Sequence, residues 1–366
     1  MLIGIDASRA ARHTKTGVEW YSHHLLKELL SMPTQHQYRL YTQAPLDFSL
    51  PPYAQERTLA WPMPFLWTQG GLSFEMLWHS PDILFVPSHA MPFIHARRTI
   101  TTVHDIGFRR FPELVPPKQL NYLRWSTRFA CRNASRIITI SEFSKQEICA
   151  AYKVPEERIS VTHLGYDSER YIPGDSASAQ AQLHTSLGLA RPFILFVGRL
   201  EQRKNISYIL DVFERVHEKY PDLELVFAGI DGYGASEFRQ RCARSTAGRA
   251  IRLLGWVNED TKILLYQAAF CFFFPSLYEG FGIPIIEAQA CGTPVICSNT
   301  TSLPEVAADG AICIDPTVID QSVDAIVQIT ADVDLRESLC KKGQENCEKF
   351  SWKKTAEETK KILEET

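Results

Sequence analysis

The amino-acid sequence predicts an α/β protein of two doubly wound parallel-sheet domains. Its 366 residues are too many for one ordinary domain and fit two. Short apolar runs alternate with helix-length amphipathic segments, a pattern typical of strands buried on both faces of a parallel sheet. The alternation occurs once on each side of a polar, turn-rich segment around Pro173 and Gly174. Two Rossmann-like domains facing an interdomain cleft are therefore expected.

The first half of the chain accounts for one such domain. Its predicted strands are residues 2–6, 38–41, 83–86, 99–103, 137–140 and 159–161. Helical periodicity covers residues 17–30, 119–132 and 142–152. We place the N-terminal domain at residues 1–166 and a linker at residues 167–190.

The second half repeats the pattern. Its predicted strands are residues 193–197, 223–228, 251–254, 271–274, 294–297 and 312–314. A helix is expected to begin at Ile206, with Asn205 as its N-cap. The C-terminal domain is placed at residues 191–350. The Lys/Glu-rich residues 351–366 predict a final helix that packs back across the domain junction.

Composition excludes several classes of protein. Hydrophobic content of 45% and charged content of 22% exclude a disordered chain or a fibre, and a net charge of −3 argues against a nucleic-acid binder. The first residues resemble no signal peptide, and no run approaches the roughly 20 apolar residues of a membrane span. Nine cysteines without a Cys-x-x-Cys pair indicate reduced thiols. The expected compartment is the cytoplasm.

The strongest chemical pattern follows the strand at residues 271–274. Gly280 and Gly282 allow close backbone approach, and Pro284 suits the first turn of a helix. A helix N-terminus after a glycine turn is an anion site. Glu279 and Glu287 flank it and suit hydrogen bonds from sugar hydroxyls. An ordinary strand–turn–helix connection, with both glutamates in minor roles, is the alternative.

A basic loop follows the strand at residues 193–197. Arg199 offers a bidentate guanidinium and Lys204 a compact positive charge, which together suit a diphosphate. Arg203 adds a third cation. These side chains could instead be exposed charges on a turn. Both patterns in one domain favour a pocket for a nucleoside-diphosphate sugar.

Together these motifs resemble the retaining, metal-independent family 4 glycosyltransferases (glycosyl transferases group 1), which have the GT-B fold. The resemblance covers nearly the whole chain. The matching stretches are residues 16–21, 103–105, 138–144, 198–205, 253–257 and 279–287. Residues 104–113 are most similar to the mannosyltransferase-like branch.

The resemblance implies a role for each matching residue. It makes residues 1–166 the acceptor domain and residues 191–350 the nucleotide-sugar domain. Arg199 and Lys204 hold the diphosphate, Glu287 the ribose and Glu279 the donor sugar. His104 orients that sugar. Further donor-binding positions are Gly17, Gly198, Val257, Gly280, Phe281, Gly282 and Ile283. The turn before Val18 carries a single glycine where relatives often carry more.

The implied reaction is transfer of a hexose from a nucleotide-diphosphate sugar to a glycan or lipid-linked glycan, as in polysaccharide biosynthesis. The branch favours mannose from GDP-mannose. A nucleotide-sugar epimerase on the same scaffold is the alternative. Neither a cofactor nor a metal is expected, and we interpret the Asp332-x-Asp334 pattern as a helix cap. The expected partners are the donor and the acceptor, without nucleic acid.

Arg124, Arg128, Arg132 and Arg136 recur every four residues, which places them along one side of a predicted helix. They could contact anionic lipid or a lipid-linked diphosphate, making the protein peripheral at the cytoplasmic membrane face. The alternative is an ordinary surface helix with scattered ion pairs.

Overall fold

The computed structural model describes residues 1–13, 15–63 and 66–366 and separates into two compact units. The N-terminal unit comprises Met1–Gly165 together with Trp352–Thr366, and the C-terminal unit comprises Tyr166–Ser351. The chain thus leaves the first unit once and returns to it for its final helix.

A fully parallel sheet of seven strands forms the centre of the N-terminal unit, in the order β3-β2-β1-β4-β5-β6-β7. The strands are β1 (Leu2–Asp6), β2 (Gln37–Thr42), β3 (Ala54–Thr58), β4 (Ile83–Val86), β5 (Arg98–Thr102), β6 (Arg136–Thr139) and β7 (Ile159–Val161). The central strand β4 is apolar and fully buried, as is typical of a parallel sheet covered on both faces.

Five α-helices among the described residues complete this unit. They are α1 (Gly17–Ser31), α2 (Ser73–His79), α3 (Pro117–Asn133), α4 (Glu142–Tyr152) and, from the end of the chain, α13 (Trp352–Glu365). A π-helical turn, Thr68–Leu72, leads into α2. Helix α13 packs on α1. Its Thr355 hydroxyl donates a 2.7 Å hydrogen bond to the carbonyl of His163, two residues after the end of β7.

The C-terminal unit contains a parallel sheet of six strands in the order β10-β9-β8-β11-β12-β13. The strands are β8 (Phe193–Val197), β9 (Glu224–Ala228), β10 (Ile251–Gly255), β11 (Cys271–Phe274), β12 (Val295–Ser298) and β13 (Ala311–Ile314). In both units the chain reverses its direction of winding beside the first strand, β1 or β8. Ligand sites are expected beyond the carboxyl ends of strands at such reversals.

Helices cover the second sheet. They are α5 (Ser176–Leu187), α6 (Ile206–Lys219), α7 (Ala235–Arg244), α8 (Glu259–Ala268), α9 (Ile283–Ala290), α10 (Leu303–Ala307), α11 (Ile319–Ala331) and α12 (Val333–Cys347). Helix α6 is strongly amphipathic and buries Ile209, Leu210, Val212 and Phe213. Asp332 caps α12 by accepting a hydrogen bond from Leu335 N, which confirms its interpretation as a helix cap.

The predicted strands are all present, with ends within one residue of those predicted. The sequence did not predict β3, because its residues are polar and it lies at the sheet edge. The segment 167–190, predicted to be a linker, contains α5, which packs on α8 within the C-terminal unit.

Two local predictions were wrong. Asn205 precedes α6 but does not cap it, because its backbone is left-handed and its side-chain amide donates to the Pro316 carbonyl at 2.8 Å. Arg136 does not continue the row formed by Arg124, Arg128 and Arg132. Helix α3 ends at Asn133, and Arg136 begins β6.

No helix within the described ranges has both the length and the hydropathy that a membrane span requires.

Candidate active site

Three neighbouring strands of the C-terminal unit end in glycine. Gly198 follows β8, Gly229 follows β9, and Gly255 ends β10, so we call these residues the glycine row. Gly229 has φ of +154°, and a Cβ placed on it would lie 1.9 Å from the Gly198 carbonyl oxygen. The two loop backbones can therefore approach this closely only because Gly229 has no side chain. Bare backbone at this sheet edge leaves space for a ligand.

Lys204 and Glu279 form an ion pair beside the glycine row. The Lys204 ammonium lies 2.5 Å from Glu279 Oε1, and the Arg203 guanidinium lies 3.2 Å from Oε2. Arg203 also bonds Glu201 and the Tyr278 carbonyl. The lysine and glutamate side chains are only 12% and 10% exposed, so neither is compensated by bulk water. The cluster therefore fixes the position of both groups.

Burial raises the pKa of the Glu279 carboxyl, but Lys204 and Arg203 lower it by more, so its net pKa lies below the ordinary value. Glu279 is therefore an ionised hydrogen-bond acceptor at neutral pH. It is not a proton donor in this state.

Arg199 stands apart from this ion-pair cluster. Its side chain is exposed and passes over Gly232, where a Cβ would come within 2.7 Å of Arg199 Cγ. Within the described residues it has no recorded carboxylate partner. The loop carries three positive charges, on Arg199, Arg203 and Lys204. Only two carboxylates, Glu201 and Glu279, pair with them. The loop thus retains one positive charge for an anionic ligand.

The glycine turn after β11 leads directly into α9. Gly282 has φ of +113°, a backbone conformation that favours glycine, and a Cβ on it would lie 2.7 Å from Leu303 Cδ2. The Ser302 hydroxyl fixes the turn by donating to the carbonyls of Glu279 and Phe281 at 2.9 and 2.8 Å. Pro284 lies in the first turn of α9, as predicted. The first turn of α9, from Ile283, is oriented as an anion site.

Glu287 is held on α9 by two residues of α8. Its Oε1 lies 3.1 Å from Lys262 Nζ, and its Oε2 accepts a 3.0 Å hydrogen bond from the Tyr266 hydroxyl. Burial lowers the pKa of Lys262, but Glu287 and Glu259 raise it by more, so the lysine is charged. The glutamate is thus held in place by Lys262 and Tyr266.

The predicted base-reading segment lies at the end of β10. Val257 is partly buried, and the preceding Trp256 is 74% exposed. Ile230 and Tyr233, which follow the neighbouring β9, are also exposed. Flat apolar surface is therefore available beyond these strand ends.

His104 follows β5 in the N-terminal unit and is buried against aromatic rings. Its ring centroid lies 4.6 Å from that of Tyr21, edge to face, and 5.7 Å from that of His89. Burial lowers the pKa of His104 to about 3, aided by His89 and opposed by the Pro87 carbonyl. The imidazole is therefore neutral at physiological pH. Its Nε2 has no hydrogen-bond partner among the described residues.

Gly17 is the first residue of α1, and a Cβ on it would meet nothing within 4 Å. The helix start is fixed instead by Glu19, which forms a capping box with Thr16. Glu19 also pairs with Arg9 and Arg12, each at 3.2 Å. These arginines follow β1, at the carboxyl edge of the first sheet.

Sequence reasoning did not assign roles to several residues that organise these sites. They are Lys262, Tyr266, Ser302, Arg9 and Glu19. Thr16 and Glu19 show the Thr-x-x-Glu spacing of a capping box, so that one could have been predicted. Nothing in the spacing of Tyr266 or Ser302 distinguishes them from ordinary helix and turn residues.

Two family models together match most of the chain. Residues 15–170 match the model for Glycosyltransferase Family 4, and residues 183–346 match that for Glycosyl transferases group 1. O-antigen chain mannosyltransferase B of Escherichia coli is 34% identical over 289 residues, which are 78% of this chain and 73% of that protein. A D-inositol 3-phosphate glycosyltransferase of Corynebacterium jeikeium is 27% identical over 285 residues, which are 75% of this chain and 67% of that protein. The chain belongs to the family 4 glycosyltransferases.

Solved structures show the same fold over the whole chain. Sucrose-phosphate synthase from Thermosynechococcus elongatus matches 100% of this chain and 98% of its own, with a TM-score of 0.78 and 19% identity. The structure of HepE of Anabaena in complex with UDP and glucose matches 100% of this chain and 99% of its own, with a TM-score of 0.75 and 18% identity. The fold is thus GT-B, as the sequence predicted.

Proposed function

We propose that this protein is a retaining, metal-independent glycosyltransferase that moves a hexose from a nucleotide-diphosphate sugar to a glycan or lipid-linked glycan. The observation that carries the proposal is the buried Lys204–Glu279 pair, which lies between the basic loop and the glycine turn of α9. A diphosphate bound here meets cations, and a sugar hydroxyl meets an ionised carboxylate.

The charge distribution suits departure of a nucleoside diphosphate. As the glycosidic bond breaks, negative charge grows on the diphosphate and positive charge on the sugar ring. Arg199, Lys204 and the N-terminus of α9 are proposed to stabilise the leaving group, and Glu279 to bind the sugar. Fixed groups of this kind need no rearrangement during reaction, and each contributes about 10²–10³ in rate. Glu287 is proposed to accept hydrogen bonds from the ribose.

His104 is proposed to orient the donor sugar. A neutral imidazole with an unsatisfied Nε2 can hydrogen-bond a sugar hydroxyl without placing positive charge near the cationic sugar ring. The role needs a neutral ring, which the buried position supplies.

GDP-mannose is the donor we propose. Its support is the 34% identity to an O-antigen chain mannosyltransferase. The match to a structure containing UDP and glucose, at 18% identity, supports a nucleoside-diphosphate pocket but not the choice of base or sugar. By the same relationship, a growing glycan carried on a lipid is the proposed acceptor.

Thermal unfolding with a panel of nucleotide sugars tests the donor. A ligand that binds only the folded protein at about 100 times its Kd stabilises it by about 2.7 kcal/mol. GDP-mannose is expected to raise the melting temperature more than UDP-glucose, UDP-N-acetylglucosamine or ADP-glucose at equal concentration. A larger shift with a UDP sugar would reject the proposed donor.

Variants of the same protein test the proposed site. Lys204→Ala and Glu287→Ala are each expected to lose most of the donor-induced shift, measured against each variant's own ligand-free melting point. Lys219→Ala changes an exposed lysine of the same unit and serves as the control. Wild-type donor affinity in either site variant would contradict the assignment.

Product analysis tests the type of reaction. With acceptor present, we expect release of nucleoside diphosphate, an α-linked mannoside by NMR, and no effect of EDTA. An inverted anomeric centre would refute the retaining mechanism. Loss of activity with EDTA, restored by a divalent ion, would refute metal independence.

A further inference from the structure

Helix α2 presents three large apolar side chains to solvent. Phe74, Leu77 and Trp78 lie at positions i, i+3 and i+4, so they share one face, and they are 63%, 56% and 69% exposed. The opposite face buries Met76 and Glu75, and Glu75 bonds Arg57 at 2.9 Å. A helix that buries its carboxylate and exposes its aromatic residues has the reverse of the usual polarity for a surface helix.

The apolar surface continues onto the loop between β4 and β5. The backbone N–H of Ile94 donates to Ser73 Oγ at 3.3 Å, which places Phe93 and Ile94 beside the start of α2. The Phe93 ring lies 4.8 Å from that of Trp125 on α3. The side chains of Phe93, Ile94 and Trp125 are 51%, 43% and 39% exposed. Exposed apolar residues on adjoining elements mark an interaction surface.

The loop between β4 and β5 and helix α3 carry charges of one sign. The loop 88–97 and helix α3 together carry Arg97, Lys118, Arg124, Arg128 and Arg132, and no Asp or Glu. In the part of the chain that the structure describes, none of these cations has a recorded carboxylate partner. Their charge is available to an external anion.

A cavity of about 500 Å³ lies in this basic region. It is lined by Arg109, Asn121, Arg124, Trp125, Arg128 and Tyr152. The Arg109 guanidinium lies 5.2 Å from the centroid of the Tyr152 ring. Burial raises the pKa of Tyr152, more than Arg109 and Arg128 lower it, so the phenol remains a hydrogen-bond donor. Three guanidiniums with a hydroxyl donor suit a phosphate group.

We propose that these features form a docking face for an anionic lipid bilayer. The docking face comprises the apolar residues Phe74, Leu77, Trp78, Phe93, Ile94 and Trp125 and the arginine-lined cavity beside them. The aromatic and aliphatic side chains enter the lipid interface, and the cavity holds the phosphate of a lipid headgroup. Aromatic residues beside unpaired arginines match the chemistry of such an interface, which offers an apolar interior beneath negative charge.

Vesicle sedimentation with the full chain tests the proposal without a transferase assay, so its outcome is independent of the proposed reaction. The protein is expected to bind vesicles of equal parts phosphatidylcholine and phosphatidylglycerol, and to bind pure phosphatidylcholine at least tenfold more weakly. Free glycerol phosphate at millimolar concentration is not expected to release it.

Two double variants separate the apolar and charged contributions. Phe74→Ser with Trp78→Ser, and Arg124→Gln with Arg128→Gln, should each reduce binding about tenfold or more. Val333→Ser is the control for the apolar variant, and Arg244→Gln with Arg249→Gln is the control for the arginine variant. Both controls alter exposed side chains of the C-terminal unit. These controls should bind as the wild type does. Unchanged melting temperatures exclude misfolding of the variants.

Three results would overturn the proposal. One is the absence of wild-type binding to the anionic vesicles. Another is wild-type binding by both double variants. The third is a dimer in solution that dissociates in the Phe74→Ser, Trp78→Ser variant, which would make the docking face an interface between copies of this chain.

Discussion

At the scale of single residues, the charged groups of the C-terminal unit are fixed before any ligand arrives. Lys204 and Glu279 are 75 residues apart in sequence and 2.5 Å apart in space. The sequence indicated a cationic loop and a flanking glutamate, but not their pairing, since pairing depends on how β8 and β11 align. The same alignment brings Arg203 to the Tyr278 carbonyl.

His104 shows how position sets chemistry at the residue scale. Its pKa falls from 6.5 to about 3 because the ring is buried. The unfolded chain therefore binds a proton below pH 6.5 that the folded chain does not bind until about pH 3. The contribution of His104 to stability is complete above pH 6.5 and is lost as the pH falls toward 3.

We predict that the His104→Asn variant loses less stability on acidification than the wild type. Between pH 6 and pH 5 the difference should approach about 1.4 kcal/mol, the linkage value for one proton per pH unit. Urea unfolding of the N-terminal unit at the two pH values measures it. His13→Asn replaces an exposed histidine and serves as the control. Equal pH dependence in wild type and His104→Asn would contradict the burial argument.

At the scale of elements, the glycine row depends on the close approach of two loops. We predict that Gly229→Ala destabilises the C-terminal unit by about 3 kcal/mol or more, because its Cβ would overlap the Gly198 carbonyl and its φ is unfavourable. Gly255→Ala is the matched control. Gly255 also has positive φ, but open space surrounds its Cβ position, so the cost should be about 1 kcal/mol. Hydrogen exchange of β8, β9 and β10 compares the two variants, and equal losses would exclude the overlap as the cause.

Sequence patterns predicted the buried elements well because burial on both faces of a parallel sheet demands continuous apolar runs. Strand β3 lacks such a run, and it lies at the sheet edge. Arginines recur every four residues from Arg124 to Arg136, but helix α3 ends at Asn133, before the last of them. The spacing of residues alone does not show where a helix ends. The outward face of α2 was also not predicted. The positions of Phe74, Leu77 and Trp78 fit a buried helix face equally well.

At the scale of the whole molecule, the chain path makes the N-terminal unit dependent on residues 352–366. Helix α13 buries Ile362 and Leu363 and donates from Lys360 to the Pro33 carbonyl at 2.6 Å. Burial of two such aliphatic side chains contributes roughly 3–6 kcal/mol. The family match and the GT-B fold could be read from the sequence, whereas this dependence required the structure.

We predict that removing residues 352–366 lowers the stability of the N-terminal unit and leaves the C-terminal unit unchanged. Limited proteolysis with mass spectrometry should show new cleavage within residues 1–165 only. Leu363→Ala should reproduce part of the effect, at about 2–5 kcal/mol, whereas Lys361→Ala at an exposed position should not. Equal loss of protection in both units would show that they unfold together.

The return of the chain also constrains the order of events during protein synthesis. Strands β1–β7 leave the ribosome while the surface of α1 that will receive Trp352 is still uncovered. Translation of residues 166–351 takes roughly 10–40 s at typical rates of elongation. For that interval the nascent N-terminal unit lacks the ring contacts of Trp352 with Tyr21 and His24, so this part of α1 stays uncovered until the last helix is made.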